Sequence, residues 1–167
     1  MKLKNLFGAL VAIILLANCR NSNSNPGNVT QDFLDSLNER QILNYKISIP
    51  RDYSIKEKEG PDFTVFYFAP TDTTIKHKFS GGIYFGNYPN KFSSSSGGCK
   101  NEIIKGDILD GYAYWTVFDC NGDFSIQTIT ASKSREGWNN QIHAFGHGKS
   151  KNEIYKLLGI YSTLRKK

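Results

Sequence analysis

The sequence has few cysteines, a single long apolar run and no block of basic residues. It contains 3 Cys among 167 residues, and its 21 basic and 15 acidic residues are scattered along the chain. Nucleic-acid binding therefore has little support, since that role needs clustered positive charge. Hydrophobic residues make up 39% of the chain and charged residues 22%. This balance excludes a disordered chain and a membrane protein with several spans, and the length allows one domain.

Recognisable catalytic signatures are also missing. Ser93–Ser96 supply hydroxyl groups, but neither Gly-x-Ser-x-Gly nor Ser-x-x-Lys occurs there to pair one of them with a base. Aspartates flank the predicted hairpin turns: Asp107, Asp110, Asp119 and Asp123. Because aspartate favours local hydrogen bonds at turns, we expect solvated turn residues rather than a carboxylate pair for acid–base catalysis. The sequence thus predicts a protein that is not an enzyme and holds no cofactor.

The segment Gly146-His147-Gly148-Lys149-Ser150 ends like a phosphate-binding P-loop. A full P-loop needs glycine at the position held by His143, so that the backbone can curl around the phosphates. We also expect no parallel sheet here. The preferred interpretation is a glycine turn that leads into a capped helix, and no nucleotide ligand is predicted.

His143 and His147 have a spacing that would place metal ligands on one face of a helix. Here they straddle the end of a predicted strand and a glycine turn, with no Cys or acidic residue beside them. His143 shares its strand face with Phe145. A packed or partly buried histidine is therefore expected at this position, and no metal site is predicted.

The first residues have the parts of an export signal in order. Lys2 and Lys4 form a positive segment, and the apolar run Leu6–Leu16 is too short for a permanent span of a bilayer about 30 Å thick. The run ends at Leu16-Ala17-Asn18-Cys19, which resembles a lipobox, the cleavage site of a bacterial lipoprotein signal peptide. Asn18 stands where most lipoboxes have Gly, Ala or Ser, which is similar to the relaxed lipobox of spirochaetal lipoproteins. The alternatives are an ordinary membrane anchor and a plain signal peptide with a fortuitous cysteine.

The resemblance implies that residues 1–18 are removed and that Cys19 carries a lipid that attaches the protein to a membrane. Residues 19–29 are expected to form a flexible tether, because residues 20–28 have no apolar side chain and many turn formers. Without the two lysines of the leader, the chain keeps 19 basic and 15 acidic residues, a net charge of +4. Arg20 is not the Asp of the inner-membrane retention signal, which favours the outer membrane of the cell envelope.

Cys99 and Cys120 are the two cysteines left once Cys19 is lipidated. In an oxidising compartment such as the periplasm, an even pair indicates a disulfide bond. This bond would fasten a Ser/Gly-rich loop to the end of a strand. Two separate buried thiols and a metal-binding pair are the alternatives.

Periodicity predicts an α+β domain over residues 30–167. A helix is expected from Asp32 to about Leu43, with Thr30 as its cap. Strands are expected at Tyr45–Ile49, Tyr53–Glu57, Phe63–Phe68, Ile75–Phe85, Glu102–Leu109, Tyr112–Cys120, Asp123–Ser132 and Asn139–Phe145. Of these segments, six to seven are expected to pair in one mostly antiparallel sheet.

Local signals sharpen this order. The dipeptides Asp110-Gly111 and Asn121-Gly122 are two-residue hairpin signals, which predict an antiparallel meander. Phe63–Phe68 is apolar on both faces, so this strand is expected to be central in a sheet covered on both sides. Gly81-Gly82 indicates a bulge or a close backbone approach. Asn87–Lys100 is the longest predicted loop.

The C-terminal segment predicts an amphipathic helix that packs on the sheet. Ser150-Lys151-Asn152-Glu153 is a capping box, and Arg165–Lys167 suit the C-terminal end of such a helix. An Ile-Ser-Ile-Pro opening strand at residues 47–50, a meander and a closing helix resemble the Mog1/PsbP-like α/β sandwich, which occurs in several exported bacterial lipoproteins. The resemblance implies a fold and no active site.

Aromatic residues are the remaining candidates for a binding site. Most of the Phe, Tyr and Trp side chains are expected to fill the core, but some lie near turns or the long loop: Tyr88, Phe92, Tyr112 and Trp138. Core or simple surface packing is the simpler interpretation of these four. The leading hypothesis is a lipid-anchored envelope protein whose non-catalytic domain binds a protein partner. The alternatives are an immunity-type inhibitor of a periplasmic toxin and an envelope hydrolase with an unrecognised site.

Overall fold

The computed structural model describes residues 29–72, 74, 79–93, 98–133 and 140–167. Within these residues there are two helices, α1 (Gln31–Asp35) and α2 (Lys151–Ser162). The strands are β1 (Leu37–Ile42), β2 (Tyr45–Pro50), β3 (Tyr53–Gly60), β4 (Phe63–Pro70), β5 (Ser80–Gly86), β6 (Lys100–Ile108), β7 (Gly111–Cys120), β8 (Asp123–Ala131), β9 (Gln141–Gly148) and β10 (Arg165–Lys166). Neither described helix has the length and apolar character needed to cross a membrane.

The described strands form two sheets. Within each sheet, all neighbouring strands are antiparallel. The larger sheet has seven strands in the order β3-β4-β5-β9-β8-β7-β6, and the smaller has the order β1-β2-β10. The predicted α+β class with a mostly antiparallel sheet is confirmed. The expected number of strands fits the larger sheet alone, because β1 and β10, both predicted as helical, join β2 in a second sheet.

The N-terminal helix is much shorter than predicted. Thr30 caps it as expected, since its Oγ1 accepts a hydrogen bond from Phe33 N at 3.3 Å. However, α1 ends at Asp35, and the chain continues as β1, which pairs with β2 along its whole length. The prediction of a helix to Leu43 is therefore wrong. Residues 37–42 gain backbone pairing with β2 instead, and this pairing places Ile42 in the core.

The meander of β6, β7 and β8 is confirmed. Asn121-Gly122 has φ values of 58° and 88°, the left-handed values that a two-residue hairpin turn requires. The other turn lies one residue earlier than predicted, at Leu109-Asp110 rather than Asp110-Gly111, with φ values of 56° and 57°. Burial of the Leu109 side chain and a 3.1 Å hydrogen bond from its N–H to Leu164 O offset the unfavourable backbone conformation.

One face of the larger sheet is covered by α2 and the smaller sheet. Trp115 of β7 is fully buried there and stacks on Tyr161 of α2, with 5.1 Å between ring centroids. Tyr45 of β2 packs on Phe85 of β5 at 5.2 Å. Aliphatic side chains fill the rest of this layer: Ile47, Ile49, Ile83, Ile126, Ile142, Ile154 and Leu157. We call this the covered face of the sheet, and it contains the hydrophobic core.

The C-terminal helix begins as predicted and ends earlier. Ser150 Oγ accepts a hydrogen bond from Glu153 N at 3.3 Å, which confirms the N-terminal cap. The helix stops at Ser162, and Arg165–Lys166 then pair with the start of β2. The assignment of Arg165–Lys167 to the helix end is therefore wrong, because these residues complete the edge of the smaller sheet.

The paired glycines of β5 mark close packing rather than a bulge. The register of β5 with both neighbours is continuous through Gly81-Gly82. A Cβ atom on Gly81 would lie 2.5 Å from the Tyr161 hydroxyl and 2.6 Å from Phe68 Cζ. The strand predicted from Ile75 begins at Ser80, and residues 75–78 lie outside the described residues.

The prediction for β4 is wrong in two respects. This strand lies second from the edge of the sheet, next to β3, and is not central. Only one of its faces is fully covered, because Tyr67 on the opposite side is exposed to 43%. The apolar residues on that opposite side line a pocket together with residues of β5 and β9.

Candidate functional site

The face of the larger sheet that points away from α2 carries a cluster of aromatic side chains; we call it the open face. Strand register aligns Val65 with Tyr84 and Tyr84 with His143 across β4, β5 and β9. One pair further along, Tyr67 lies opposite Gly82, and Gly82 lies opposite Phe145. Residues two apart on a strand share a face, so these side chains project to the same side.

These side chains line a pocket of about 490 Å³, which we call the aromatic pocket. The strands contribute Phe63, Val65, Tyr67, Tyr84, His143 and Phe145. The turn between β3 and β4 adds Asp62, and the chain after β5 adds Tyr88, Asn90 and Phe92. Its volume lies in the range of small-molecule sites, roughly 300–1,000 Å³, which are also mostly apolar with few polar groups.

The wall formed by Phe92 is fixed to the sheet through one glutamine. Gln127 of β8 accepts a hydrogen bond from Phe92 N at 2.9 Å and donates one to Phe92 O at 2.8 Å. A side-chain amide thus bonds the backbone of residue 92 as a neighbouring strand would. The Phe92 ring then lies 5.7 Å from the rings of both His143 and Phe145, measured between centroids.

A disulfide bond attaches the same connecting segment further along the chain. Cys99 and Cys120 are bonded to each other, as predicted from the cysteine count. Cys120 ends β7, whereas Cys99 immediately precedes β6. The connection between β5 and β6 is therefore attached at Phe92 and at Cys99, and residues 94–97 between these points lie outside the described residues.

His143 is buried at the base of the pocket. Its side chain is 3% exposed, and its Nε2 lies 3.1 Å from Gln127 Oε1. Because that oxygen can only accept, Nε2 carries a proton and donates it. Burial, assisted by the positive charge of Lys91, lowers the pKa of His143 to about 4. The expected packed histidine is observed, and this ring is uncharged at neutral pH.

Glycines give the aromatic rings room against the sheet. A Cβ atom at Gly82 would lie 2.7 Å from Phe145 Cζ, so the absence of a side chain there lets the Phe145 ring rest on β5. Phe63 and Tyr84 stack with 5.7 Å between centroids, and the Tyr84 hydroxyl accepts a hydrogen bond from Tyr88 N at 3.2 Å. The strand and loop parts of the pocket are thus joined at two points, Tyr84 and Gln127.

The sequence identified part of this pocket. Two of the four candidate binding residues, Tyr88 and Phe92, line it, and Tyr88 is exposed to 79%. Tyr112 is also exposed, but it lies at the turn end of β7, beside Tyr114, with Lys105 Nζ 3.8 Å from its ring centroid. Tyr112 does not line the aromatic pocket. Trp138 lies outside the described residues, as does Cys19.

The residues that were missed come from β4, β5 and β9. Tyr67, Tyr84 and Phe145 lie on three strands that are far apart in sequence, and no local motif joins them. A usable signal was present, because β4 is apolar on both faces. In a fold with one covering layer, the second apolar face of such a strand must meet something other than the core.

The glycine-rich segment before α2 differs from the predicted turn. Gly146 and Gly148 lie within β9, which extends past the predicted end at Phe145. Lys149 forms an ion pair with Asp123. This segment therefore ends β9 and leads into α2. Gly146 lets the strand pack closely on that helix, because a Cβ atom there would lie 2.8 Å from Leu157 Cδ1.

Two of the turn aspartates have side-chain partners. Asp119 accepts a hydrogen bond from Gly122 N at 3.0 Å, which is the local turn contact that was expected. Asp110 instead pairs with Lys133, a residue distant in sequence, at 2.9 Å. In the part of the chain that the structure describes, no group of three metal-binding side chains is close enough to hold an ion.

Ser80 and His147 form the one nucleophile-like pair that the described residues bring together. They are cross-strand neighbours on β5 and β9, with 2.9 Å between Ser80 Oγ and His147 Nε2. Activation of a serine also needs an acid that orients the histidine and donors that stabilise an oxyanion. Among the described residues no carboxylate contacts the His147 ring. The pair is more simply a surface hydrogen bond across the sheet.

Comparison with known proteins adds no family to this picture. No model of a protein family matches the sequence, and no curated protein matches it significantly.

Proposed function

We propose that the chain is a lipid-anchored protein of the cell envelope that binds a protein partner and is not an enzyme. The aromatic pocket carries this proposal. Its rim remains accessible, since Tyr88 is exposed to 79% and Phe92 to 41%. Exposed aromatic side chains around a concave apolar site are typical of binding hot spots, because they contribute large contact areas with little loss of conformational entropy.

The anchor and the fold family belong to the same proposal. Cys19, at the end of the lipobox-like segment, would carry the lipid, and the absence of Asp at position 20 favours the outer membrane. The disulfide bond fits an oxidising compartment. The antiparallel sheet with a closing helix supports the Mog1/PsbP-like assignment, which we retain as part of the proposal.

Photo-cross-linking in intact cells tests the binding function. A photoreactive phenylalanine analogue is placed at Tyr88 and, as a matched control, at Tyr112, which is exposed but outside the pocket. We expect a discrete protein adduct from position 88 and a much weaker one from position 112. Equal adducts from both positions, or none from position 88, would contradict a partner site in the pocket.

Metabolic labelling tests the anchor. Cells that produce the parent protein are given a labelled fatty acid, and we expect the label on the parent and not on Cys19→Ala. The variant should also appear in the soluble envelope fraction. Label retained on the variant would show that Cys19 is not the lipidated residue.

A further inference from the structure

We infer that the aromatic pocket binds an alkylated ammonium group, carried on a side chain of the partner protein. The inference rests on the proposed binding function and specifies the chemistry that the pocket recognises. Three observations support it: the arrangement of the rings, the charge at the rim and the open mouth of the pocket.

The rings of Tyr67, Phe92 and Phe145 meet at steep angles, whereas Phe63 and Tyr84 stack along another wall of the pocket. Tyr67 and Phe145 are inclined by 70° with 6.0 Å between centroids, and Phe92 and Phe145 by 80° with 5.7 Å. Such angles form the walls of a cage, whereas a flat stack would form a platform for a planar ligand. A cation within about 6 Å of several ring centroids is attracted by the negative faces of the rings.

The charge of the lining has the sign that a cation needs. Asp62 is the charged residue among those that line the pocket, and in the described part of the chain no basic side chain forms an ion pair with it. Its carboxylate can therefore pair with a ligand. A charge pair next to apolar walls is screened less than one in bulk water.

The buried imidazole does not oppose a cation. His143 is neutral at physiological pH because burial lowers its pKa to about 4. Lys91 is the basic residue whose charge acts on His143, and it lies between Asn90 and Phe92 of the pocket wall. Lys91 should weaken cation binding, so its removal gives a test with the opposite sign to the removal of Asp62.

The lining favours an alkylated ammonium over a primary one. A primary ammonium has three strong N–H donors and loses much hydration on burial, so it needs several acceptors. This pocket is lined mostly by aromatic residues, and Asp62 is its one charged acceptor, beside the neutral Asn90 amide and the tyrosine hydroxyls. A quaternary ammonium has no donors to satisfy, and its methyl groups pack against the rings. The exposed rim at Tyr67 and Tyr88 leaves an exit for the rest of a longer side chain.

The first test uses small probes of equal shape. Full-length protein in a maltoside detergent is titrated with choline and, separately, with its uncharged isostere 3,3-dimethylbutan-1-ol, and binding is followed by amide NMR shifts of Gly82 and Gly86. We expect choline to bind at least about tenfold more tightly than the isostere. Equal binding of the two, or no shift with choline, would overturn the inference.

Charge variants then assign the effect to this pocket. Asp62→Asn should weaken choline binding about threefold to fivefold and leave binding of the isostere unchanged. Lys91→Gln should strengthen choline binding about twofold. Both residues are exposed, so both variants are expected to fold. An unchanged affinity for choline in Asp62→Asn would show that the carboxylate is not part of the site.

A peptide pair identifies the carrier of the group. A peptide with one trimethyllysine should compete with choline, whereas the same peptide with leucine at that position should not. If choline binds but the trimethyllysine peptide does not compete with it, the ammonium group is not carried on a side chain of a partner protein. The proposed partner-binding function is tested separately. Choline binding without a cross-link at Tyr88 would contradict that function and leave the ammonium site intact.

Discussion

The two faces of the seven-stranded sheet use the same strands in different ways. On the covered face, Trp115, Phe85 and Ile142 are fully buried beneath α2 and the smaller sheet. On the open face, residues from three of these strands, one turn and one loop line the aromatic pocket. Alternation along each strand thus places a core residue and a pocket residue side by side, as Ile142 and His143 show on β9.

The difference separates the residues that stabilise the fold from those that we propose to bind a ligand. Side chains of the covered face are enclosed by other residues, and their contribution is mainly to the free energy of unfolding. Rings of the open face are only partly enclosed, so they have unused surface with which to contact a ligand. Substitutions at neighbouring positions of one strand should therefore have very different consequences.

Trp115→Ala gives the largest expected effect on stability. Loss of this fully buried ring and of its stacking on Tyr161 should lower the free energy of unfolding by about 3–5 kcal/mol. Tyr114→Ala is the matched control, since it changes the adjacent residue of β7, which is 67% exposed. The control should change stability by less than about 0.5 kcal/mol. Similar denaturant midpoints for the two variants would show that the faces do not differ as described.

Removal of the disulfide should have the next largest effect. The double variant Cys99→Ala, Cys120→Ala opens a covalent loop with a sequence separation of 21 residues. We expect it to lower stability by about 3 kcal/mol, mainly because the unfolded chain is less constrained. Urea denaturation with and without a reductant measures this. The reductant should lower the stability of the parent and have no effect on the double variant; a parent indifferent to reduction would disprove the stabilising role.

Acid should destabilise the open face through His143. Its pKa is about 4 in the folded protein and about 6.5 in the unfolded chain, so the unfolded state binds more protons between these values. The stability contributed by the neutral ring is complete above pH 6.5 and is lost as the pH falls towards 4. The loss is on the order of 2–3 kcal/mol.

The variant His143→Gln should remove most of this pH dependence. Glutamine can still donate a hydrogen bond to Gln127, but it does not titrate. His147→Gln, which changes the exposed histidine on the same strand face, should keep the dependence of the parent. Unfolding curves at intervals between pH 7 and 4 give the comparison, and a parental pH profile in His143→Gln would disprove the assignment.

The sequence predicted the fold best where local chemistry determines the structure. Asn121-Gly122 specifies a hairpin because its residues adopt left-handed φ values at low cost, and Ser150 specifies a helix start through its side-chain oxygen. The β1–β2 hairpin has no such signal. Its turn contains Leu43 with φ of 48°, a residue that local propensity does not place there. Pairing with β2 outweighs this cost, and pairing between strands cannot be detected in a single short segment.

Of the aromatic pocket, only the loop residues were predicted from the sequence, because the other residues come together through strand pairing. Tyr88 and Phe92 were recognised because they lie near a segment rich in turn residues. Gln127 and His143 have no sequence signal, because their function depends on register: β8 and β9 must align before Gln127 can reach both His143 and Phe92. Such a network is visible only once the strand order is known.

The bond between Gln127 and Phe92 has a consequence for how the pocket can change. Gln127 contacts the backbone N and O of residue 92 and leaves its side chain out of the anchoring. Any residue except proline, which lacks the N–H, can therefore be held at this position. Exchange of the Phe92 ring for a smaller, larger or charged group would alter what the pocket accepts while the loop stays attached. In the proposed binding site, a change of residue 92 would therefore alter ligand specificity while its backbone stays bonded to Gln127.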